Sequence, residues 1–308
     1  MNSLRFYERT FKIKLLKPIL KEANMAKTLV MCPPNYFDVQ YELSTNRWMN
    51  MDSQPDKNLV ARQWLDLFGA CLELGLKVLL IKPRPGLPDM VFAANAGLQI
   101  PGGKGVIISN YFHKERRPEN VFIYDFFRNL FSAENVWQLP ARTYFEGQGD
   151  AIWLDERRVV IGYGVRTNLA GIAEVQKILK RYDPKIKVIL LRMKSVAEAR
   201  ADEKIFYHLD TCLLHLPRIQ TFIVYEGAFA ASAIKILKKL GGLMSVSEAE
   251  ANNFVCNGLV VNERTIFSPW VSGMIYLSLR DLNYDVKVFP MSEFIKSGGA
   301  VKCLIMEL

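Results

Sequence analysis

Histidine and paired cysteine motifs are scarce in this chain. Only three of its 308 residues are histidine. The five cysteines lie far apart and form no Cys-x-x-Cys pair: Cys32, Cys71, Cys212, Cys256 and Cys303. Without such pairs a structural zinc site is not expected. The odd number of cysteines, their apolar neighbours and the lack of a secretion signal favour reduced thiols and a cytoplasmic location.

Long apolar runs and blocks of cations are also missing. No run approaches the roughly 20 residues that a membrane-spanning helix needs. The net charge of +9 suits an acidic partner, but the cations are scattered, which argues against a nucleic-acid-binding protein. Residues 1–27 are interpreted as a basic extension ahead of the first strand. The alternative, a mitochondrial transit segment, is disfavoured by the two acidic residues and Pro18 within it.

The chain does contain a repeated unit. A small or polar residue leads into apolar residues at intervals of about 45 to 60 residues. These residues are Asn95, Asp150, Asp210, Asn257 and Cys303. The pattern of each unit predicts a strand, a turn, a strand, a helix and a strand. The helices are expected at about 117–131, 167–181, 229–240 and 271–281. Such a repeat indicates a solenoid or a closed ring, and a ring would bring the five residues near one axis. We therefore predict one α/β domain over residues 28–308.

Residues 206–216 contain two of the three histidines and are the stretch whose residue types best suit catalysis or ligand binding. If the stretch is extended, His208, Asp210 and Cys212 share one face. An imidazole beside a carboxylate can transfer protons or bind a cation, and it can equally be a buried structural pair. A strand is also expected over 92–100. Residues 35–57 lack periodicity and predict a long loop, a kind of segment that is often functional.

Five blocks in register resemble the guanidine-modifying (pentein) superfamily: residues 87–97, 145–150, 162–168, 206–211 and 291–303. Its relatives include arginine deiminases, dimethylarginine dimethylaminohydrolases, amidinotransferases and arginine dihydrolases. The resemblance runs from about Thr28 to the C-terminus and implies a five-bladed α/β-propeller. It departs from the arginine dihydrolase branch at Asn46-Arg47-Trp48-Met49, where the proline of Asn-Pro-Trp-Met is replaced and the preceding stretch is longer. Substrate identity is therefore open.

The resemblance implies that Cys303 is the nucleophile. A thiolate suits attack on a guanidinium carbon, which is a poor electrophile. Glycines at 298 and 299 and the adjacent Lys302 fit a reactive thiol, whereas the apolar residues that follow equally fit an inert strand cysteine. Cys212 is the runner-up nucleophile. The other cysteines are expected to pack in the core.

The resemblance also implies the remaining roles. His208 would protonate the leaving amine and then activate water, while Glu146 and Asp210 would accept hydrogen bonds from the guanidinium nitrogens. The other implied substrate-binding residues are Asn95, Phe92, Arg166 and Asp150. Arg166 would bind the substrate carboxylate, or would be a surface arginine at a helix start. Asp150 would either support the site from behind or form a turn, and His113 and His215 are expected to be structural.

The implied function is a hydrolase acting on arginine or a derivative through a covalent thiouronium, with no metal or organic cofactor. One hydrolysis gives citrulline, the deiminase outcome; a second gives ornithine, carbon dioxide and another ammonia, the dihydrolase outcome. The alternatives are a dimethylarginine dimethylaminohydrolase, an amidinotransferase, or a non-catalytic binding protein of the same fold. The expected partner is a small guanidine rather than nucleic acid or membrane, and a homo-oligomer remains open.

Overall fold

The computed structural model describes residues 27–200 and 203–308. Within them, fifteen strands form five separate three-stranded sheets. The strands are β1 (Thr28–Met31), β2 (Lys77–Leu80), β3 (Gly97–Ile100), β4 (Gly105–Ile108), β5 (Val136–Trp137), β6 (Ala151–Asp155), β7 (Arg158–Tyr163), β8 (Lys187–Arg192), β9 (Leu213–Leu216), β10 (Thr221–Val224), β11 (Gly242–Ser245), β12 (Leu259–Val260), β13 (Thr265–Ser268), β14 (Asp285–Val288) and β15 (Met306–Glu307). The α-helices are α1 (Lys57–Glu73), α2 (Glu119–Arg128), α3 (Leu169–Tyr182), α4 (Ala231–Leu240), α5 (Glu248–Asn252), α6 (Gly273–Asp281) and α7 (Ser292–Ile295). Of the predicted N-terminal extension, residues 1–26 lie outside the described residues.

All five sheets follow one plan. The middle strand pairs antiparallel with a first strand and parallel with a third, as in β3-β4-β5, β6-β7-β8, β9-β10-β11 and β12-β13-β14. A hairpin makes the antiparallel pair, and a crossover helix makes the parallel one, because parallel neighbours need a long connection. The predicted order of strand, turn, strand, helix and strand is confirmed in these four units.

The fifth sheet joins the two ends of the described chain. β15 pairs antiparallel with β1, with Leu29 opposite Glu307 and Val30 opposite Met306. β1 in turn pairs parallel with β2 across the α1 crossover. In this unit the C-terminal β15 therefore takes the place of the first strand, and β1 is the middle strand.

The helices pack on the sheets through residues three or four apart, as an amphipathic helix must. In α1 the buried face contacts β1 in one apolar cluster through Val60, Trp64, Leu67 and Cys71. In α3, Ile172, Val175 and Leu179 pack with β7. Asp56 and Asn168 cap these two helices by accepting hydrogen bonds from backbone N–H groups of the first turn.

Two of the predicted strands are wrong over part of their length. Leu209–Thr211 is a 3₁₀ turn, and the strand begins only at Leu213. The turn forms because the backbone N–H groups of Thr211 and Cys212 donate to the carbonyls of His208 and Leu209. Short polar side chains favour such turns, and the Thr211 hydroxyl adds a bond to the His208 carbonyl at 2.6 Å.

The strand expected over 92–100 likewise starts only at β3, after a 3₁₀ turn at Ala93–Ala96. At the boundary, a side chain on Gly97 would come within 2.6 Å of the Ile107 carbonyl oxygen. The long loop predicted over 35–57 is confirmed, since no strand or helix interrupts it before α1. Among the helices of the described residues, none combines the length and apolar character required to cross a membrane.

Candidate active site

A small cavity lies where the turns ahead of β3, β9 and β15 approach one another. Leu43, Met49 and Phe92 contribute apolar walls. The lining also includes groups that can hydrogen-bond, transfer protons, carry charge or act as a nucleophile: Asn95, His208, Cys303, Asp89, Arg116 and Arg166. This mixture of apolar walls and a few convergent polar groups is typical of a small-molecule site.

Cys303 lies in a 3₁₀ turn, Lys302–Leu304, rather than in the strand that the alternative of an inert cysteine assumed. Its Sγ is 3.3 Å from Oδ2 of Asp210 and 3.1 Å from Nδ2 of Asn257. Burial and then the Asp210 carboxylate raise the pKa of the thiol. The sulfur is therefore protonated and donates to Asp210. A cation beside the sulfur would favour the thiolate.

Asp210 is 1% exposed and does not itself border the cavity. It contacts the thiol of Cys303, which does. Burial raises the pKa of this carboxyl to about 7, although Lys302 and the hydrogen bonds from Cys303 and Asn257 oppose the shift. Its Oδ1 is buried without a hydrogen-bond partner among the described residues. An incompletely paired carboxylate next to a thiol is a favourable place for a cationic donor.

His208 is held by Glu146 on one side and Asn95 on the other. Its Nε2 lies 2.7 Å from Oε2 of Glu146, and its Nδ1 lies 3.4 Å from Nδ2 of Asn95. An ionised carboxylate only accepts hydrogen bonds, so Nε2 carries the proton and Nδ1 keeps a lone pair. Burial lowers the pKa of His208 to about 4 despite the opposing effect of Glu146. The ring is therefore neutral near pH 7 and can accept a proton at Nδ1.

Glu146 is fully buried, and its oxygens are already occupied. Oε2 accepts from His208 and, at 3.2 Å, from Nη1 of Arg166, while Oε1 accepts from the Phe112 backbone N–H at 3.0 Å. Although burial acts in the opposite direction, Arg166 and His208 hold the pKa of Glu146 below its usual range. Glu146 does not border the cavity. In this geometry it orients the imidazole rather than contacting a guanidinium.

Arg166 is 4% exposed and borders the cavity, so the alternative of a surface arginine at a helix start is wrong. Its guanidinium lies 4.4 Å from the ring centroid of Tyr207, and its Nε donates to Thr45 Oγ1 at 3.2 Å. A buried cation requires anionic partners. Glu146 supplies one from behind, and a ligand carboxylate could supply another from the cavity.

Phe92 and Asp150 lie on different sides of the lining. The Phe92 ring borders the cavity and packs edge-on against Phe37 at a centroid distance of 5.7 Å. Asp150 does not border it: Oδ2 accepts from Thr167 at 2.6 Å and Oδ1 from the Leu209 backbone N–H at 3.2 Å. Burial raises the pKa of Asp150. It braces the turn that carries Asp210, which favours the supporting alternative.

Cys212 does not share a face with His208, contrary to the prediction. Its Sγ lies 3.5 Å from the Leu209 carbonyl oxygen and is part of an apolar cluster that also contains Cys256. Burial raises the pKa of Cys212. Cys32 and Cys71 are also buried in apolar clusters.

The two remaining histidines also lie away from the cavity lining. His113 bonds to Thr45 through Nε2 at 2.7 Å, and the His215 ring stacks on Phe222 at a centroid distance of 4.9 Å. Both contacts are with neighbouring protein side chains. They fit the structural roles that were expected.

Two charged lining residues had no predicted role. Asp89 accepts from the Tyr41 hydroxyl at 2.6 Å through Oδ2, and its Oδ1 has no partner among the described residues. Arg116 is paired with Glu119 and donates to Oδ1 of Asn95 at 2.9 Å. Asp89 falls within the resembling block 87–97, in which the resemblance implies roles for Phe92 and Asn95 only. Arg116 lies in an aperiodic charged loop that offers no sequence signal.

The segment that departs from the resemblance lies against the site. Leu43, Asn46 and Met49 all border the cavity. Nδ2 of Asn46 donates to the Ser297 carbonyl at 3.0 Å, close to the turn that carries Cys303. Nζ of Lys204 donates to the carbonyl of Arg47 at 2.5 Å. The added length therefore lies where it can affect which substrate fits.

Known proteins resemble this chain over most of its length. A sequence model of the family described as "N,N dimethylarginine dimethylhydrolase, eukaryotic" matches residues 33–308. The bifunctional arginine dihydrolase/ornithine cyclodeaminase ArgZ of Synechocystis is 35% identical over 91% of this chain and 37% of that protein. The chain thus spans well under half the length of this relative. The N(G),N(G)-dimethylarginine dimethylaminohydrolase of Mycobacterium tuberculosis is 31% identical over 90% of this chain and 84% of that protein.

A solved structure shares the fold. The product-bound N-terminal domain of ArgZ, an arginine dihydrolase from the ornithine-ammonia cycle in cyanobacteria, matches with a TM-score of 0.80 and 32% sequence identity. The match covers 92% of this chain and 97% of that domain. The five small sheets therefore belong to the α/β fold of the guanidine-modifying enzymes.

Proposed function

Because this chain belongs to the dimethylarginine dimethylaminohydrolase family of the guanidine-modifying superfamily, we propose that it hydrolyses the guanidinium group of L-arginine or an arginine derivative. One observation carries the proposal. The Cys303 thiol, in contact with the Asp210 carboxylate, borders the same cavity as a neutral His208 oriented by Glu146. A nucleophile (Cys303), a carboxylate that can bind a cation (Asp210) and a group that can transfer protons (His208) thus lie together in one buried site.

The first step is attack of Cys303 on the guanidinium carbon. A guanidinium whose carbon lies within bonding reach of Sγ brings its N–H groups to Oδ2 of Asp210. The cation lowers the pKa of the thiol, which burial and Asp210 otherwise keep high. The thiol proton passes to Nδ1 of His208, and the resulting imidazolium is stabilised by Glu146.

The imidazolium then returns that proton to the departing nitrogen. Ammonia leaves as the C–N bond breaks, and a thiouronium remains on Sγ. His208, neutral again, takes a proton from a water molecule that attacks the thiouronium carbon. The C–S bond breaks, the thiol is restored and a ureido product is formed.

The substrate's amino-acid end has matching charges in the lining. Arg166 offers a planar cation for a carboxylate, the geometry that arginine binds best. The unpartnered Oδ1 of Asp89 offers an acceptor for an α-ammonium group. Phe92 supplies an apolar wall between the charged groups. L-Arginine carries all three features in one molecule.

The preferred outcome is the dihydrolase reaction, supported by the similarity to the arginine dihydrolase ArgZ. In that reaction the ureido carbon is attacked by Cys303 a second time and a second ammonia leaves. Water then releases carbon dioxide and ornithine. Nδ2 of Asn95 faces the Glu146 carbonyl oxygen and Nδ1 of His208, so Asn95 would steady the imidazole in both rounds of attack.

Incubation of the purified protein with L-arginine tests the proposal, with citrulline, ornithine and ammonia measured over time. Two ammonia per ornithine supports the dihydrolase, and citrulline alone supports the deiminase. Cys303→Ala should abolish turnover, while the matched control Cys212→Ala should retain it. No turnover of arginine, methylarginines, agmatine or citrulline would sink the hydrolase proposal.

The second candidate is hydrolysis of methylated arginine, favoured by the family match. It predicts release of dimethylamine from asymmetric dimethylarginine with a higher kcat/KM than release of ammonia from arginine. Adding glycine to the arginine reaction tests the amidinotransferase alternative through formation of guanidinoacetate. Equal rates with and without glycine, and no guanidinoacetate, would exclude it.

We also propose that the five sheets form one catalytic domain over residues 28–308, as five blades around the cavity. The common strand plan and the β15–β1 pairing support this arrangement. The substrate proposed is a small guanidine in the cytoplasm. The five free cysteines fit a reducing compartment.

A further inference from the structure

Asn257 is the fourth repeated polar residue of the chain, and the proposed reaction leaves it without a role. It is fully buried, and both ends of its amide are engaged. Nδ2 donates to the Asp210 carbonyl at 3.0 Å and to Sγ of Cys303 at 3.1 Å. Oδ1 accepts from the backbone N–H groups of Ala300 at 3.1 Å and Cys303 at 3.4 Å.

These partners fix the orientation of the amide. A carbonyl can only accept and a backbone N–H can only donate, so the NH₂ end must face the Asp210 carbonyl and the sulfur. Both N–H groups and the amide oxygen are then satisfied within the protein. The donor directed at Cys303 is therefore imposed by the surrounding backbone.

The sulfur otherwise lies in surroundings that disfavour its charge. Burial disfavours the thiolate, and Asp210 beside it is an acceptor and a potential anion. A hydrogen-bond donor stabilises the thiolate more than the thiol, and Asn257 supplies one without adding a charge that would repel a guanidinium. The same side chain ties the Cys303 turn to the Asp210 turn.

We propose that Asn257 is a positioning residue that stabilises the Cys303 thiolate and fixes the Cys303 turn to the Asp210 turn. The inference rests on the proposed nucleophile. It concerns the ionisation of the thiol, which can be measured without any substrate.

The experiment is the pH dependence of alkylation by iodoacetamide. Trypsin cleaves after Lys302 and releases residues 303–308, so mass spectrometry can follow this cysteine alone. Asn257→Asp keeps the size and an acceptor for the two backbone N–H groups but loses the donor. We expect its alkylation midpoint to rise by about one pH unit or more, so that the rate near pH 7 falls about tenfold. Asn257→Ala should shift the profile in the same direction.

The matched control is Asn168→Ala, which removes the cap of α3, a side chain bonded to Tyr144, Arg142 and Gly171, and should leave the profile unchanged. Profiles unchanged in folded Asn257 variants would overturn the inference. If neither variant folds, as judged by circular dichroism, Asn257 is required for the fold, which overturns a role specific to the thiol. A shifted profile in a protein that turns over no guanidine would defeat the proposed function while leaving this inference standing.

Discussion

Sγ of Cys303 and Oδ2 of Asp210 lie 3.3 Å apart. Both residues are buried, and Cys303 borders the cavity. Each group makes the charged form of the other less favourable, because two anions cannot share a buried contact. A cationic substrate relieves both at once. Under the proposed function, this relationship would favour binding of a guanidinium before any chemistry takes place.

Replacing Asp210 with Asn should separate binding from thiol ionisation. The kcat/KM for arginine should fall about 100-fold, because a charge-assisted hydrogen bond is worth roughly 1.5–3 kcal/mol. Alkylation of Cys303 in the absence of substrate should become faster, because the carboxylate that raises the thiol pKa is gone. Steady-state kinetics and iodoacetamide rates check the two directions. Slower alkylation would contradict the role given to Asp210.

Replacing Glu146 with Gln should impair proton transfer more than binding. The side chain keeps its size, but the imidazolium formed during the reaction loses its anion. We expect kcat to fall about 10²–10⁴-fold, the usual contribution of a positioned acid–base group, with KM changed far less. A loss confined to KM would mean that Glu146 contacts substrate directly. The kcat of the conservative variant Glu146→Asp should lie between those of the wild type and Glu146→Gln.

Replacing Arg166 with Met should discriminate between substrates that differ only in the carboxylate. The kcat/KM for arginine should drop about 10- to 100-fold relative to that for agmatine, which lacks the carboxylate. The ratio of the kcat/KM values for arginine and agmatine cancels any effect that the substitution has on Glu146, because that effect is common to both substrates. Equal losses for both would show that Arg166 acts only on the Glu146–His208 pair.

His215 should contribute to loss of stability in acid. Burial lowers its pKa from 6.5 to about 4, so between these pH values the unfolded chain binds a proton that the folded protein does not. Stability is then complete above pH 6.5 and declines as the pH falls. Between pH 6.5 and 5 the wild type should lose about 1.5 kcal/mol more than His215→Phe. Urea unfolding of both proteins checks this, and equal losses would contradict it.

Much of the fold could be read from the sequence because its signals are local. Helical periodicity at about 167–181, where α3 spans Leu169–Tyr182, and the recurrence of a polar residue ahead of apolar ones depend only on neighbours along the chain. The same local blocks contain Cys303, His208 and Asn95, which do converge on one cavity. Composition also showed that no long apolar run and no zinc-type cysteine pair is present.

Other features could not be predicted from the pattern of residue types along the chain. Residues 206–212 read as a strand, but hydrogen bonds within the stretch turn the chain before β9 and direct Cys212 into the core. The pairing of β15 with β1 joins residues at opposite ends of the chain, which no local pattern encodes.

The assignment of charges also needed the tertiary structure. Glu146 and Asp210 look equivalent along the chain. Arg166 and His208 occupy the first carboxylate, whereas a thiol contacts the second. Sequence alone thus determined which groups are available for the chemistry, because residue type and local pattern are written in the chain. Only the tertiary structure decided which partner each group meets, because charge and hydrogen bonding in a buried site depend on residues brought together from separate units.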